Sequence, residues 1–274
     1  MKDVSTPAKG LIYAGLGFIA LLQLLPFYFG LTTASKPKTD LTSPWVFPGE
    51  IHWANFQTAM QQGNILQAIG NSALVTLVST VLVCVLGAFT AYPLARRITR
   101  GNQLVYACII SLIMIPPLSV LVPLYTLMKD LGGLNTHWGI IVLMVTGNLP
   151  LAVFLYTAFM RSLPVSIEEA ATVDGAGPLQ VLFRIVFPML RPVTATVAIL
   201  AGVGIWNEFA LSTYFLRTDE TRTIAPAVAG FFASQGSNPG AAAAASLVSV
   251  VPVLLAYLFL QRSFIKGMVA GSLK

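Results

Sequence analysis

Six stretches of this chain stay apolar for about 20 residues or more, the length that carries a helix across a bilayer. They lie near residues 11–31, 68–95, 104–128, 138–161, 193–216 and 242–262. Lipid offers backbone N–H and C=O groups no partner, so runs of this length satisfy themselves as helices. Composition points the same way, since 9% of the 274 residues are charged against roughly 25% in a soluble domain. The predicted fold class is all-α, a polytopic membrane protein with six transmembrane helices. The first run, Leu11–Leu31, exceeds the apolar region of a cleaved leader, about 7–15 residues, and is expected to span. Pro26, Pro93, Pro116, Pro117, Pro123, Pro150 and Pro252 interrupt the runs. Neighbouring helices can satisfy the carbonyls these prolines free, so they predict kinks rather than helix ends.

The formal charge of +6 does not indicate nucleic acid, because the cations are scattered and form no basic-aromatic stripe. They fit loops between spans instead. If the N-terminus is cytoplasmic, Lys2, Lys9, Arg96, Arg97, Arg100, Arg161, Arg184, Arg191, Arg262, Lys266 and Lys274 lie inside. Only Lys36, Lys38, Lys129, Arg217 and Arg222 then lie outside. That bias predicts both termini in the cytoplasm. Trp45, Trp53 and Trp138 then fall at or beyond the outer interface, where tryptophan is enriched. The outer segments are 32–67, with a possible short amphipathic helix, a tight connection at 129–137 with Gly132-Gly133, and 217–241. The inner segments are 96–103 and 162–192. Cys84 and Cys108 sit in apolar runs without metal-ligand spacing, and His52 and His137 have no His or Cys neighbours. No metal site is expected.

The inner segment 162–192 contains "EEAATVDGAGPLQVLFRIVFP", unusually rich in charge for this chain. Ser166 and Glu169 have capping-box spacing, and Gly175 can end a helix in a left-handed cap. The expectation is a short helix over 166–174. By composition alone it reads as a solvated connector. The spacing of Glu169-Ala170-Ala171, Gly175, Ile185 and Phe187-Pro188 closely resembles the Glu-Ala-Ala (EAA) signature of ABC importer permeases. Phe187 stands where that signature usually has leucine. "RSLPVSIEEAATVDGAG", "WNEFALSTYFL", "ETRTIAP" and "LFLQRSFIKGMVAG" are similar to the permeases of maltose-type carbohydrate importers. The likeness covers about residues 65–272.

The resemblance implies a type I importer permease fold. It divides the chain into an N-terminal helix with its outer loop (1–66), a permease core (67–262) and a cytoplasmic tail (263–274). It implies that 162–192 carries a coupling helix for a cytoplasmic ATPase, with Glu168, Glu169, Ala170, Ala171, Asp174, Gly175, Ile185 and Pro188 as the coupling residues. The partners it implies are a dimeric ATPase that binds ATP and Mg2+, an extracytoplasmic solute-binding protein and a second, different permease chain. The substrate implied is a mono- or oligosaccharide, and the location a bacterial or archaeal inner membrane. The residues agree in chemistry. Small alanines allow close approach, Glu169 offers a charge for pairing, and glycine permits a sharp turn. The chain carries no phosphate-cradling G-x-x-x-x-G-K-[ST]. No cofactor and no enzymatic activity are therefore expected in this chain.

Polar groups within spans are costly and usually face protein or water. Trp206, Asn207 and Glu208 in the fifth run, and Asn148 in the fourth, are the candidate substrate-pathway residues. For Glu208 two readings stand: a hydrogen bond tying two spans together, or a cavity wall where Trp206 stacks on a sugar and Asn207 or Glu208 meets hydroxyls. A carboxylate there also weighs weakly against an anionic substrate. Asn71, Ser72 and Thr76 are weaker candidates, and Gly202 and Gly204 could serve helix packing. The alternative is an ion-driven secondary transporter, which favours inverted repeats and several intramembrane charges. A membrane enzyme needs a nucleophile–base pair or a metal cluster. Neither pattern is present.

Overall fold

The computed structural model describes residues 6–236 and 238–272, with the side chains of 9–177, 179–236 and 238–258. In chain order the helices are α1 (Thr6–Ala34), α2 (Ala54–Gln62), α3 (Ile65–Arg96), α4 (Arg100–Ser111), α5 (Leu121–Asp130), α6 (His137–Ser162), α7 (Ser166–Val173), α8 (Pro178–Gln180), α9 (Phe187–Met189), α10 (Arg191–Trp206), α11 (Ala210–Phe215), α12 (Ile224–Ser234) and α13 (Pro239–Ser272). A π-helical turn, Val181–Val186, joins α8 to α9. No strand occurs among the described residues, so the fold is all-α. Lys2 and Lys274, used in the orientation argument, lie outside the described residues, as do the side chains of Arg262 and Lys266.

Four helical stretches are long and apolar enough to span without a break: Lys9–Ala34, Ile65–Arg96, His137–Ser162 and Pro239–Leu258. Two bent pairs bring the number to six if each counts as one span. The expected third span, 104–128, is not one kinked helix. Arg100–Met114 and Pro117–Asp130 meet at 96°. Pro116 is extended, at φ −62° and ψ 129°, because the residue before a proline is pushed out of the α region. Two consecutive prolines also remove two N–H donors. The pair therefore ends a helix, whereas Pro26, Pro93, Pro150 and Pro252 remain inside theirs.

The fifth span is displaced towards the N-terminus of the expected 193–216. It consists of Val181–Met189 and Arg191–Trp206, bent by 72°. Leu190 sits at the corner, and Pro192 opens α10, where a missing N–H costs nothing. The helix stops at Trp206 and a new one begins at Ala210.

The chain forms two compact units. One comprises the chain up to Ile65 with Ala227–Val251, and the other Leu66–Pro226 with the chain from Pro252. In the first, α1 leaves Leu11, Leu16, Leu21 and Leu24 exposed, as a lipid-facing helix does. The segment after α1 is pinned by polar side chains. Lys36 Nζ donates to Thr42 Oγ1 (2.7 Å) and to the Ser43 carbonyl (2.9 Å). The Thr42 hydroxyl and N–H hold the Asp40 carboxyl below its ordinary range. Buried Asn55, in the short helix expected after the first span, donates to the Ala34 and Lys36 carbonyls at 2.9 and 2.7 Å.

The second unit holds the larger core. Val83, Ala88 and Ala91 of α3, Ala152, Val153 and Tyr156 of α6, and Val197 and Ala201 of α10 belong to one buried cluster. Small residues let helix backbones approach where lipid supplies no hydrophobic drive between helices. Tyr156 donates to Thr194 Oγ1 at 3.1 Å and ties α6 to α10. Gly87 marks a close approach of α3 to α6, since a Cβ there would sit 2.9 Å from Ala152 Cβ and 3.3 Å from Tyr156 Cδ2. Gly87→Val is expected to destabilise the detergent-purified protein by about 1–3 kcal/mol, the usual cost of overpacking. A lower Tm reports the loss. Gly204→Ala is the control, because a Cβ there meets nothing within 4 Å.

Candidate functional site

The loop between α6 and α10 begins with Leu163-Pro164-Val165 and turns directly into α7. The expected capping box is absent. Val165 is the N-cap residue, in αR conformation, and no side chain caps the helix. Ser166 is already inside the helix, so its hydroxyl is misplaced for capping. The Glu168 and Glu169 N–H groups bond the Val165 carbonyl instead, at 2.9 and 3.1 Å.

The C-terminus of α7 forms as the glycine predicts. Gly175 adopts φ +85°. The Ala176 N–H bonds the Ala171 carbonyl (2.9 Å) and the Gly175 N–H bonds that of Thr172 (3.0 Å). This paired closure is a Schellman motif, which needs a left-handed residue at the glycine position. Asp174 is the C-cap and is exposed. Downstream, Ile185 lies half-buried in the π-helical turn, and Pro188 is exposed in α9. Pro188 has no N–H to give the carbonyl four residues back. Phe183 in the same turn packs against Phe89 of α3, with ring centroids 5.2 Å apart.

The two glutamates of α7 point to different surroundings. Glu169 is exposed and its carboxylate has no partner among the described residues; Ala170 beside it is exposed, and Ala171 is half-buried. Val165, Ile167, Val173 and Leu179 add exposed apolar surface around this helix, with Val173 at 88% exposure. Glu168 is buried, at 9% exposure. Its carboxylate accepts from Arg96 Nε (2.7 Å) and Tyr92 Oη (3.0 Å), and Arg96 Nη2 lies 2.6 Å from the same carboxylate. Arg96 Nη1 also donates to the Met160 carbonyl at 2.7 Å and reaches that of Leu163 at 3.4 Å. This cluster joins α7 to the ends of α3 and α6. The sequence analysis uses Arg96 only as one basic residue of the inner set and does not single out Tyr92. The available signal was the adjacency of two glutamates on a short helix, where neighbouring positions face directions about 100° apart.

The second candidate group is not one pocket. Asn148 lines a narrow crevice with Val83, Leu151, Leu155, Val197 and Leu200, and its amide donates to the Met144 carbonyl (2.8 Å). Trp206, Asn207 and Glu208 are not part of that crevice. Trp206 is buried at the end of α10, so its ring is not free for stacking. Asn207 is exposed, with its amide donating to the Val203 carbonyl (2.8 Å). Glu208 accepts from the N–H groups of Leu211 (2.7 Å) and Ser212 (2.8 Å) and from the Ser212 hydroxyl (2.8 Å). Its bonds are local, to the first turn of α11, rather than between two spans. The charge is already occupied there, so it carries little argument about the sign of a substrate.

Asn71 and Ser72 stitch the segment after α11 to α3. Asn71 donates to the Glu220 and Arg222 carbonyls (2.8 and 3.0 Å), and Ser72 Oγ accepts from the Ile224 N–H (2.7 Å). Gly202 faces Thr80, whose Oγ1 would make an ordinary contact of 3.6 Å with an added Cβ, so no close approach depends on this glycine. Gly204 meets nothing.

The family model described as "Binding-protein-dependent transport system inner membrane component" matches residues 84–269. The chain is 39% identical to the melibiose/raffinose/stachyose import permease protein MelC of Bacillus subtilis, over 100% of both chains. It is 34% identical to the diacetylchitobiose uptake system permease protein NgcG of Streptomyces coelicolor, covering 93% of this chain and 85% of that one. In fold it is similar to a solved bacterial ABC transporter involved in the import of the acidic polysaccharide alginate. That likeness has a TM-score of 0.80 at 22% identity and covers 96% of this chain and 100% of the other. With several helices fit to span a membrane and a family match over most of its length, this chain belongs to the binding-protein-dependent transport system inner membrane components, as a multi-pass permease.

Proposed function

We propose that this chain is the permease subunit of an ATP-driven, binding-protein-dependent importer of neutral sugars, and that it forms half of the translocation pore. The observation that carries the reading is α7. It is a rigid helix closed by Gly175, with Glu169 unpaired and apolar side chains exposed around it. Such a surface suits a groove on a cytoplasmic ATPase, with Glu169 meeting a cation of the partner. Ala170 and Ala171 permit the close approach. ATP and Mg2+ belong to that partner, since no phosphate-binding loop occurs in this sequence. A second permease chain supplies the other wall, and an extracytoplasmic binding protein delivers the substrate. The sugars for which MelC and NgcG are named support a small neutral oligosaccharide. Asn207, exposed at the break between α10 and α11, is the residue assigned to the sugar path, with Asn148 along it. Glu208 holds that break in shape.

The positive-inside bias supports an inner-membrane chain with both termini and α7 in the cytoplasm. Single cysteines at exposed Ser43 and Thr218 are then expected to react with an impermeant thiol reagent in cells stripped of any outer barrier, and one at exposed Ser166 to stay unlabelled. Labelling confined to the Ser166 variant reverses the orientation.

Coupling and substrate contact should separate by mutation. Gly175→Val forces a β-branched residue to φ +85°, at a cost of about 1–2 kcal/mol or more. The ATPase is expected to dissociate or to lose coupling for every substrate. Asn207→Ala removes one hydrogen-bonding group, worth about 0.5–1.5 kcal/mol, so uptake should fall roughly two- to tenfold with the ATPase still bound. Pull-down with uptake measured on each variant checks both. Full coupling in Gly175→Val counts against the assignment.

A further inference from the structure

The buried cluster of Arg96, Glu168 and Tyr92 is more than a loop needs in order to be held in place. We propose that it is the transmission joint of the permease, making α7 and the ends of α3 and α6 one rigid body. This role rests on the reading of α7 as the dock.

Glu168 is 9% exposed, and both of its carboxylate oxygens are engaged, one by Arg96 and one by Tyr92. Arg96 occupies the last position of α3 and also bonds the Met160 carbonyl of α6 and reaches that of Leu163, which caps that helix. One guanidinium therefore joins three elements. Its planar fork presents donors in fixed directions, which a lysine ammonium does not. Beside it, Arg161 of α6 donates to the Leu94 carbonyl of α3 (3.3 Å) and lies 4.9 Å from the Tyr106 ring centroid of α4. The π-helical turn and Leu190 lie on the other side of the dock, before the 72° bend into α10. Among the described residues no ion pair bridges that second connection. A displacement of α7 is thus carried to α3 and α6 directly, and reaches α10 through a bend.

The two adjacent glutamates divide the work. Glu169 faces the partner, and Glu168 faces the chain's own spans. Removing one member of a buried ion pair leaves the other charge uncompensated, so Arg96, Tyr92 and Glu168 should act as a unit.

Two measurements test the joint. The first uses spin labels on exposed Arg97, next to the end of α3, and on exposed Thr172 of α7, which lies on the Glu168 side of the helix and outside the proposed dock. The account expects a narrow distance distribution that nucleotide does not shift in the otherwise unaltered protein, and a broadened one in Glu168→Gln. The second compares ATPase retention with stimulation by binding protein and sugar. Glu168→Gln should keep the ATPase bound, because Glu169 is untouched, yet lose about tenfold or more in stimulation. Tyr92→Phe removes a single hydroxyl and should give a smaller loss of the same kind. The double variant Glu168→Gln/Arg96→Gln should be no worse than the more impaired single one, as expected for residues in one network. A nucleotide-dependent shift in the parent distance overturns the joint, as does wild-type behaviour of Glu168→Gln in both measurements. Loss of the bound ATPase in Glu168→Gln would make Glu168 a docking residue and also overturn it. If no ATPase binds the parent protein, the functional reading fails, while the distance measurement still decides whether the joint is rigid.

Discussion

Lipid gives the backbone no second chance at a hydrogen bond, and the rest of this structure follows from that constraint. An unbroken helix meets it automatically, as α3 and α6 do over most of their length. A break within an apolar segment must supply its own partners. At the break after Trp206, Glu208 takes the Leu211 and Ser212 N–H groups that begin α11. At the Pro116-Pro117 corner the proline nitrogens carry no hydrogen, so fewer donors need partners. After α7, outside the apolar segments, the Gly175 and Ala176 N–H groups close the helix on the Thr172 and Ala171 carbonyls. Within the apolar segments the carboxylate and the proline pair solve one problem in two ways.

The same constraint explains where charge is kept. Arg96 at the end of α3 pairs with Glu168 of α7, and its Nε and Nη1 donate to the Glu168 carboxylate and the Met160 carbonyl. A buried pair adds little net stability over an apolar contact. Its proposed value here is geometric: the fork of Arg96 fixes α7 against two helices at once. Glu169, one residue on, stays exposed and free to meet another molecule. In the proposed account the short helix thus has an inner face built for this chain and an outer face built for a partner.

The six apolar segments were legible because length and lipid leave few alternatives. The glycine at the end of α7 was legible because only a left-handed turn closes a helix that way. What was not legible concerns choices that two chemistries share. Pro93 and Pro150 stay within helices while Pro116-Pro117 ends one, and only the consecutive pair distinguishes them. Ser166 and Glu169 have the spacing of a capping box, but the chain enters the helix one residue earlier, at Val165. Asn71 has the look of a polar pathway residue and in fact holds the Glu220 and Arg222 carbonyls. Glu168 was singled out only with its neighbour as a coupling residue, and nothing in the sequence pointed to its pairing within the chain. Its partners lie 72 and 76 residues away in the chain.

The central claim is that the outer face of α7 is where an ATP-hydrolysing partner drives this permease. The most direct measurement places a photo-reactive amino acid at Val173, exposed on that helix, and irradiates the protein in its native membrane. A second position, Val122 in α5, serves as an exposed apolar control. The account predicts a crosslink from Val173 to an ATP-binding subunit and none to that subunit from Val122. A crosslink from Val173 to an extracytoplasmic binding protein, or equal capture of the ATP-binding subunit from both positions, would contradict it.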